Sequence, residues 1–324
     1  MTLLIYGPTA TGKTALAIKL AKKFNGELIS ADSRQVYKGL DIGTGKVNFS
    51  SKVEKHNNFW LVDGVKIHGF DIIQPGISFS AANFVTHTHT LIIRIIKEKK
   101  IPIIVGGTGF YIKSLINGFD SVGIPPDPKL RKELEKLSVS RLYKKLLNLD
   151  HIRAKSMNQS DKNNPRRLVR AIEIEIFNKK HETKNNKRKQ TTYNIQDTKY
   201  LLIGLTAPNQ YLYQKADSWL NQRLKKSMIE EIQNLISQKV SISWLENLGL
   251  EYHWLTRYLV GNIQKDVAIA RLKGDIHSFI RRQKTYFKQF GKNSLSLFDI
   301  SQKDWQIKLE KKVSLWYIKH SHRT

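Results

Sequence analysis

The feature that most constrains how this chain can fold is the turn that follows its first apolar run. Residues 2–6, "TLLIY", predict a buried strand, and residues 7–14, "GPTATGKT", fit the pattern G-x-x-x-x-G-K-[ST]. The following segment, "TALAIKLAKKF", has the apolar periodicity of an amphipathic helix. A strand, a glycine-rich loop and a helix in this order predict a phosphate loop. Its backbone amides would surround a diphosphate, while Lys13 neutralises it and Thr14 binds Mg²⁺.

Three further apolar runs predict that the first strand belongs to a parallel sheet. They are "GELISADS", "IPIIVGGTG" and "KYLLIGLTAP". Each run is continuous enough to be buried on both faces, as in sheets that helices cover on both sides. We therefore expect an α/β fold with a P-loop NTPase-like parallel sheet and a site at the carboxyl ends of its strands. Residues 59–70, "FWLVDGVKIHGF", predict a hairpin that turns at Asp63-Gly64.

Helical and strongly basic segments interrupt the predicted sheet. "DPKLRKELEKL" and "NNPRRLVRAIEIEIF" each begin with a polar residue followed by proline, which is typical of a helix start. We predict a helical insertion at residues 123–196, which ends in a mobile basic loop at 179–196. The catalytic core then comprises residues 1–122 and 197–292, with helices after the last strand, and a helical tail follows at 293–324.

Composition restricts the partners and the compartment. The 324 residues include 55 Lys and Arg against 27 Asp and Glu, and this net charge of +28 favours a polyanion as partner. A lysine-rich composition caused by an AT-rich genome is the alternative explanation. Without cysteine the chain forms neither disulfides nor thiolate metal sites, which fits a reducing cytoplasm. No apolar run is long enough to span a bilayer, so we expect a soluble protein without membrane contact.

The loop alone leaves two kinds of enzyme open. An ATP-dependent kinase and an enzyme that releases diphosphate as a leaving group both need such a loop. A phosphoryl-transfer enzyme of this class usually has an apolar strand that ends in Asp, whereas the third strand here ends in "VGGTG". Asp32 is the acid that stands at a strand end near the loop. It can serve Mg²⁺, act as a base or cap a helix.

Six motifs make the chain resemble the tRNA dimethylallyltransferases, which isopentenylate an adenine of the anticodon loop. In order, they are "GPTATGKTALAIKLA", "ELISADSRQVYKGLDIGTGK", "FSAANF", "IPIIVGGTGFYIKSL", "NPRRLVRAIEI" and "RRQKTYF". The resemblance covers roughly residues 3–290. It implies that dimethylallyl diphosphate occupies the phosphate loop and that tRNA inserts a flipped adenine from the opposite side.

The resemblance also implies a role for each matching residue. Asp32 is the implied general base for the adenine N6 amine, with Lys13 and Thr9 as further catalytic residues and Mg²⁺ near Thr14. The implied diphosphate-binding residues of the loop are Gly7, Pro8, Thr9, Ala10, Thr11, Gly12, Lys13 and Thr14. The residues implied to contact the anticodon stem-loop of tRNA are Asp32, Ser33, Arg34, Gln35, Thr108, Arg131, Arg166, Arg167, Leu168, Val169 and Arg170. We expect the enzyme to act as a monomer, on tRNAs that read codons beginning with U.

Two departures from the family pattern bear on activity. The helix after the fourth strand usually has L-Y-x-R-I-x-x-R, whereas "LYQKADSW" places Lys215 and Trp219 at the two arginine positions. We hypothesise that Arg223, one helical turn beyond Trp219, binds the diphosphate instead. The second departure is "GLEYHW", where many members have G-Y-K-E.

Two alternative functions stay open on the sequence. A P-loop kinase of a small metabolite or nucleoside would bind ATP without prenyl transfer. A tRNA-binding homologue that has lost catalysis through the change at Trp219 would bind RNA without forming product. A prenyltransferase of the all-helical type is disfavoured, because the chain has no D-D-x-x-D run to hold magnesium.

Overall fold

The computed structural model describes residues 1–46, 48–118, 124, 126–182, 200–290 and 296–321. The chain divides into two compact units. The first comprises Met1–Asn117 and Gln196–Thr324, and the second comprises Gly118–Ile195. The bounds of this second unit are close to those predicted for the insertion, 123–196.

The first unit is built on one sheet of eight strands. They are β1 Thr2–Tyr6, β2 Gly26–Ser30, β3 Val53–Lys55, β4 Trp60–Val62, β5 Val65–His68, β6 Ile101–Gly106, β7 Tyr200–Thr206 and β8 Leu297–Asp299. Their order is β3-β4-β5-β2-β6-β1-β7-β8. The strands expected from the four apolar runs, β1, β2, β6 and β7, are adjacent and parallel, so the predicted fold class is confirmed.

Burial on both faces explains why these four strands have continuous apolar runs. All five residues of β1 and all six of β6 are buried. Leu3 pairs with Ile103 on one side and with Leu201 on the other. This register brings Tyr6 beside Gly106 at the carboxyl ends of β1 and β6. The ends of β1, β6 and β2 therefore meet at one edge of the sheet, as expected for a site in this fold.

The predicted hairpin at residues 59–70 is confirmed. Val62 of β4 pairs with Val65 of β5, and only Asp63 and Gly64 separate them. Both residues have left-handed backbone angles, with φ of 50° at Asp63 and 81° at Gly64. A two-residue hairpin turn with positive φ at both positions matches the twist of the strands, which is why Asp-Gly is favoured there.

Fourteen α-helices are present among the described residues. In the first unit they are α1 Lys13–Phe24, α2 Ala81–Lys97, α3 Gly109–Asn117, α9 Asn209–Lys225, α10 Met228–Ser237, α11 Ile242–Asn247, α12 Leu250–Leu259, α13 Lys265–Phe287 and α14 Trp305–Ser321. In the second unit they are α4 Pro128–Leu134, α5 Val139–Leu149, α6 His151–Ser156, α7 Gln159–Lys162 and α8 Pro165–Glu182. No helix in the described ranges is both long and apolar enough to cross a membrane.

The second unit has an apolar core of its own. Its fully buried side chains include Leu142 and Leu146 of α5 and Ile172 of α8. Asp127 accepts hydrogen bonds from the first amides of α4, so the Asp-Pro start predicted from the sequence is a helix cap. Helix α8 continues to Glu182, and positions 183–196 of the predicted basic loop lie outside the described residues.

The C-terminal tail packs into the first unit. Residues 293–324 were predicted as a C-terminal helical tail, and α14 inserts Leu309 and Val313 into the main core of the first unit. Both side chains are almost completely buried. The tail is therefore part of the first unit, and its strand β8 extends the sheet beside β7.

Candidate active site

The phosphate loop lies between β1 and α1, where the sequence places it. Gly12 has a left-handed backbone, with φ of 74°, and α1 begins at Lys13. Ala10 also has a left-handed backbone, with φ of 68°. Such a loop turns successive amides toward one point at the positive end of a helix, which is the geometry that binds anions.

Lys13 folds back over this loop. Its Nζ donates to Pro8 O at 2.7 Å, and the Thr11 hydroxyl donates to the same oxygen at 2.8 Å. Burial lowers the pKa of Lys13 to about 8, although the charge of Asp32 acts in the opposite direction. An ammonium group that burial destabilises is stabilised by a nearby negative charge, so Lys13 would gain from an anion in the loop.

The amide of Thr9 is already used within the protein. It donates to Gln283 Oε1 at 2.9 Å, and Gln283 Nε2 donates to Gly107 O at 3.0 Å. Gln283 of α13 therefore fastens the phosphate loop to the segment after β6. Thr9, predicted as a catalytic and diphosphate-binding residue, still lines the cavity, but its N–H is not available to the anion in this structure.

Asp32 stands two residues beyond the end of β2, and its position is fixed by the backbone. Its Oδ1 accepts the amide of Arg34 at 2.9 Å. The described residues 33–46 form turns and no helix, so Asp32 stabilises a turn and is not the helix cap considered from the sequence. Glycine at 106 permits this arrangement, because a Cβ there would lie 2.1 Å from Ala31 O.

The other residues of the "DSRQ" motif are held by hydrogen bonds. The Ser33 amide donates to Thr108 Oγ1 at 3.0 Å, so two residues predicted to touch tRNA are joined to each other. Gln35 accepts from the Ser30 hydroxyl at 2.7 Å and donates to Thr44 O and Gly45 O. Gln35 therefore shapes the cavity from within the protein.

A cavity of about 380 Å³ joins these groups. Thr9, Lys13 and Thr14 line it from the phosphate loop and α1, and Asp32 lines it from the end of β2. Its opposite wall comes from α9 and α12 and includes Lys215, Trp219, Arg223 and Glu251. A carboxylate and the phosphate loop thus share one cavity at the carboxyl ends of β2 and β1, the two strands that flank β6.

The wall formed by α9 and α12 contains buried charges. Glu251 Oε2 accepts from Arg34 Nη1 at 2.8 Å, and Glu251 Oε1 accepts from Arg223 Nη1 at 3.1 Å. Arg223 also donates to Gly43 O at 2.6 Å and stacks on Trp219, with its Cζ 3.5 Å from the ring centroid. Arg223, predicted to bind the diphosphate, lines the cavity, and its guanidinium is already bonded within the protein.

Comparison with known proteins identifies the family. The family model described as "IPP transferase" matches residues 35–290. The chain belongs to the IPP transferase family. As a member of this family the protein is a transferase, and the resemblance proposed from its motifs is confirmed.

Relatives cover most of the chain. The tRNA dimethylallyltransferase of Endomicrobium trichonymphae is 36% identical over 286 residues, which are 88% of this chain and 91% of the relative. That of Anoxybacillus flavithermus is 37% identical over 287 residues, covering 88% of this chain and 86% of the relative. The crystal structure of a tRNA isopentenylpyrophosphate transferase from Bacillus halodurans has 30% identity and a TM-score of 0.67, over 99% of this chain and 98% of that chain. A eukaryotic dimethylallyltransferase structure, at 24% identity and a TM-score of 0.77, shares the fold.

Four residues that sequence reasoning missed shape the site of this IPP transferase. They are Lys46, Glu231, Glu251 and Gln283. Lys46 is fully buried and pairs with Asp41 and Asp71. Glu231 accepts the amides of residues 41–43. Lys46 and Gln283 lie inside quoted motifs and Glu251 lies in the departure "GLEYHW", so each had a signal in the sequence. Glu231 reaches the site from α10 without one.

The predicted RNA-contacting residues of the second unit have unequal exposure. Leu168 and Val169 are buried in its apolar core, so their side chains pack against other helices and are not presented to RNA, contrary to the expectation. Arg131 forms two hydrogen bonds with Glu173, of 2.7 and 2.8 Å. The remaining contacts are Arg170 with Glu173 and Ile124 O, and Arg167 with Asp161, while Arg166 is exposed without a carboxylate partner among the described residues.

The residues at the loop fit a magnesium ion that the substrate helps to hold. The described part of the chain contains no group of three or more His, Cys, Asp or Glu side chains arranged for a metal. Magnesium needs few protein ligands when substrate phosphates supply the others, and it prefers oxygen. The Thr14 hydroxyl and the Asp32 carboxylate line the same cavity and offer such oxygens.

Proposed function

We propose that this protein transfers the dimethylallyl group of dimethylallyl diphosphate to the N6 amine of the adenine that is 3′-adjacent to the anticodon. The substrates would be tRNAs that read codons beginning with U. The observation that carries the proposal is the cavity in which Asp32 and the phosphate loop with Lys13 face a common space. The names of the relatives support the same reaction.

In the proposed reaction two bonds form and two break. The N6 nitrogen attacks C1 of the donor, and the bond between C1 and the diphosphate oxygen breaks, so its electron pair leaves with diphosphate. The Asp32 carboxylate takes the N6 proton, because a delocalised exocyclic amine is a poor nucleophile until a base assists it. The Arg34 amide on Oδ1 holds this carboxylate in place.

The leaving diphosphate gains negative charge, which the loop would stabilise. Lys13 and the amides at the start of α1 would carry this task, because fixed positive groups aimed at developing charge stabilise it. Thr14 would hold Mg²⁺, which supplies further neutralisation of the diphosphate when bound. We also propose that Arg223, at the opposite wall, steadies the bound donor.

The RNA would be recognised through charge and through the flipped base. Extruding the adenine costs a few kcal/mol of stacking, which contacts in the cavity and along basic surfaces must offset. The net charge of +28 supports RNA as the second substrate. We further propose that the protein acts as a monomer. We also propose that it acts in the cytoplasm, because a chain without cysteine needs no oxidising compartment for disulfide formation.

Mass analysis of an anticodon stem-loop tests the reaction. The purified protein, with Mg²⁺ and dimethylallyl diphosphate, should add one dimethylallyl group to the adenine and release one diphosphate per group. The same mixture with ATP in place of the donor should leave the RNA mass unchanged. ATP hydrolysis without any prenylated RNA would instead identify a kinase, and RNA binding without product would identify a homologue that has lost catalysis.

Replacing the proposed base tests its role. Asp32→Asn keeps the shape of the side chain but removes its capacity to take a proton, so we expect kcat to fall by about 10²–10⁴-fold. The KM for the donor should change little, because the phosphate loop is intact. Asp63→Asn is the matched control, since Asp63 lies in the hairpin turn outside the cavity. Single-turnover transfer to the stem-loop measures both variants, and a full rate for Asp32→Asn would exclude the proposed base.

A further inference from the structure

A glutamate joins the two sides of the cavity. Glu251 has one oxygen on Arg34, in the turn that carries Asp32, and the other oxygen on Arg223, in the wall formed by α9. Glu251 and Arg223 are each only 4% exposed. One carboxylate between two arginines leaves this buried cluster with a net positive charge. Burying a charge that is not fully paired costs folding free energy.

The two departures from the family pattern meet in this cluster. Trp219 stands where an arginine is expected, and Glu251 belongs to the "GLEYHW" segment. In the structure Arg223 connects them, because its guanidinium stacks on the Trp219 ring and donates to Glu251. The Trp219 ring also lies against Gly45, so the wall is continuous up to the loop after Gln35. The departures are therefore parts of one local arrangement.

Arg34 is also influenced by the charge of a second carboxylate, that of Asp32. Its backbone amide donates to Asp32, so the two residues are locked in one turn. Burial lowers the pKa of the Arg34 guanidinium, but the charges of Glu251 and Asp32 outweigh it and the net pKa is raised. If Glu251 lost its charge, Asp32 would be the remaining acid for this guanidinium. An ion pair there would occupy the oxygens that must accept the proton.

We propose that Glu251 is a positioning residue, which withholds the Arg34 guanidinium from Asp32 and at the same time fixes Arg223 against Trp219. The inference rests on the proposed function, since it assigns Asp32 the task of a base. Glu251 would thereby keep Asp32 free to receive the N6 proton and keep the opposite wall in place for the donor.

A pair of variants tests this role through rescue. Glu251→Gln keeps the size of the side chain but removes its charge, and kcat at saturating donor and RNA should fall by about 10–100-fold, a large part of what a general base supplies. Arg34→Gln in the same chain removes the cation that captures Asp32. The double variant should therefore recover kcat at least about fivefold over Glu251→Gln alone, a non-additivity expected of residues in contact. Its KM for RNA is expected to stay raised, because Arg34 is also a predicted RNA contact.

Glu27→Gln is the matched control. Glu27 is also a buried glutamate with cationic partners, at 2% exposure, but it does not line the cavity. It loses the same charge, and its kcat per folded molecule should stay within about twofold of the wild type. A Glu251→Gln variant within twofold of the wild type would overturn the proposal. So would a slow Glu251→Gln variant that Arg34→Gln does not improve, because Glu251 would then be merely structural.

A crystal structure of Glu251→Gln separates this inference from the proposed function. The Arg34 guanidinium should lie on Asp32 in the variant, whether or not the wild-type protein transfers a prenyl group. A guanidinium that stays beside residue 251 would overturn the inference. Should Glu251→Gln not fold, Glu251→Asp retains the charge with a shorter side chain, so the Arg34 guanidinium should stay on residue 251 and kcat should stay within about fivefold of the wild type. A guanidinium that lies on Asp32 in this variant while kcat is unimpaired would overturn the inference.

Discussion

The ammonium group of Lys13 determines how donor binding depends on pH. The folded protein without donor releases this proton near pH 8, whereas the unfolded chain holds it to about 10.5, because burial lowers the pKa. Between these values folding releases a proton, so the stability of the free protein rises with pH. Donor binding has the opposite dependence, because the bound diphosphate favours the charged amine and the proton has to be taken up again.

We therefore expect the donor dissociation constant to rise about tenfold for each pH unit above 8. Calorimetric titration with dimethylallyl diphosphate and Mg²⁺, without RNA, from about pH 7 to 9.5 measures this dependence and the proton uptake. Lys13→Arg is the control, since its side chain stays charged across the range. A wild-type curve as flat as that of the arginine variant would show that Lys13 is protonated throughout.

At the scale of single residues, the sequence predicts what lies within a motif and misses what arrives from elsewhere. Lys13 and Thr14 follow from the phosphate loop, and Asp32 follows from its place after an apolar strand. The contact of Glu251 with Arg34 could not be predicted, although "GLEYHW" was noted as a departure, because the two residues are 217 positions apart in the chain. The contacts of Arg223 could not be predicted either, because they depend on the tertiary packing that turns its guanidinium toward Glu251 and Gly43 O.

Helix α13 acts on the phosphate loop through one amide side chain. Gln283 is buried and makes one hydrogen bond to Thr9 and another to Gly107. Gln283→Ala removes both, at about 1 kcal/mol each, so we expect the donor KM to rise by about 5–30-fold. Steady-state kinetics at saturating RNA measures the change. Gln289→Ala, on the exposed end of the same segment, is the control, and equal donor KM values for the two variants would contradict this role.

Alanine substitutions at two glycines test how backbone conformation contributes to the stability of the first unit. A Cβ would meet no atom within 4 Å at either Gly64, in the hairpin turn, or Gly274, inside α13. Gly64→Ala should lower the free energy of unfolding by about 1–2 kcal/mol, because φ is 81° there. Gly274→Ala should raise it by about 0.5–1 kcal/mol, since alanine is the better helix former. Urea unfolding compares them, and a shift of the same sign in both variants would contradict the prediction.

At the scale of elements, length decided what the sequence could predict. The four buried strands of the parallel sheet and the hairpin each leave a pattern over many residues. Strands β3 and β8 have three residues each, which is too short for any periodicity to be recognised. Helix α14 was expected from its amphipathic pattern, but the pattern does not say which core it joins, and the structure places Leu309 in the main one.

For the whole molecule, the net charge of +28 overstates the positive charge that RNA can meet. In the second unit, Glu173 pairs with both Arg131 and Arg170, and Asp161 pairs with Arg167. The carboxylate partner partly neutralises the charge of a paired arginine, and the ion pair also contributes to the stability of the unit. Counting arginines in a motif therefore cannot distinguish a contact with phosphate from an internal ion pair.

Arg166 and Arg131 separate these two roles. Arg166 is exposed, so Arg166→Ala should leave the melting temperature unchanged while reducing the slope of log affinity against log salt by about 0.7–0.9, the value of one phosphate contact. Arg131→Ala leaves Glu173, which is 3% exposed, without its two-bond partner, so it should lower the melting temperature. Thermal unfolding and stem-loop binding over a salt series measure both variants. If Arg166→Ala kept the wild-type slope, the exposed arginine would not contact phosphate. Phosphate recognition would then have to rest on the arginines paired with Glu173, and RNA binding would have to release them from this carboxylate.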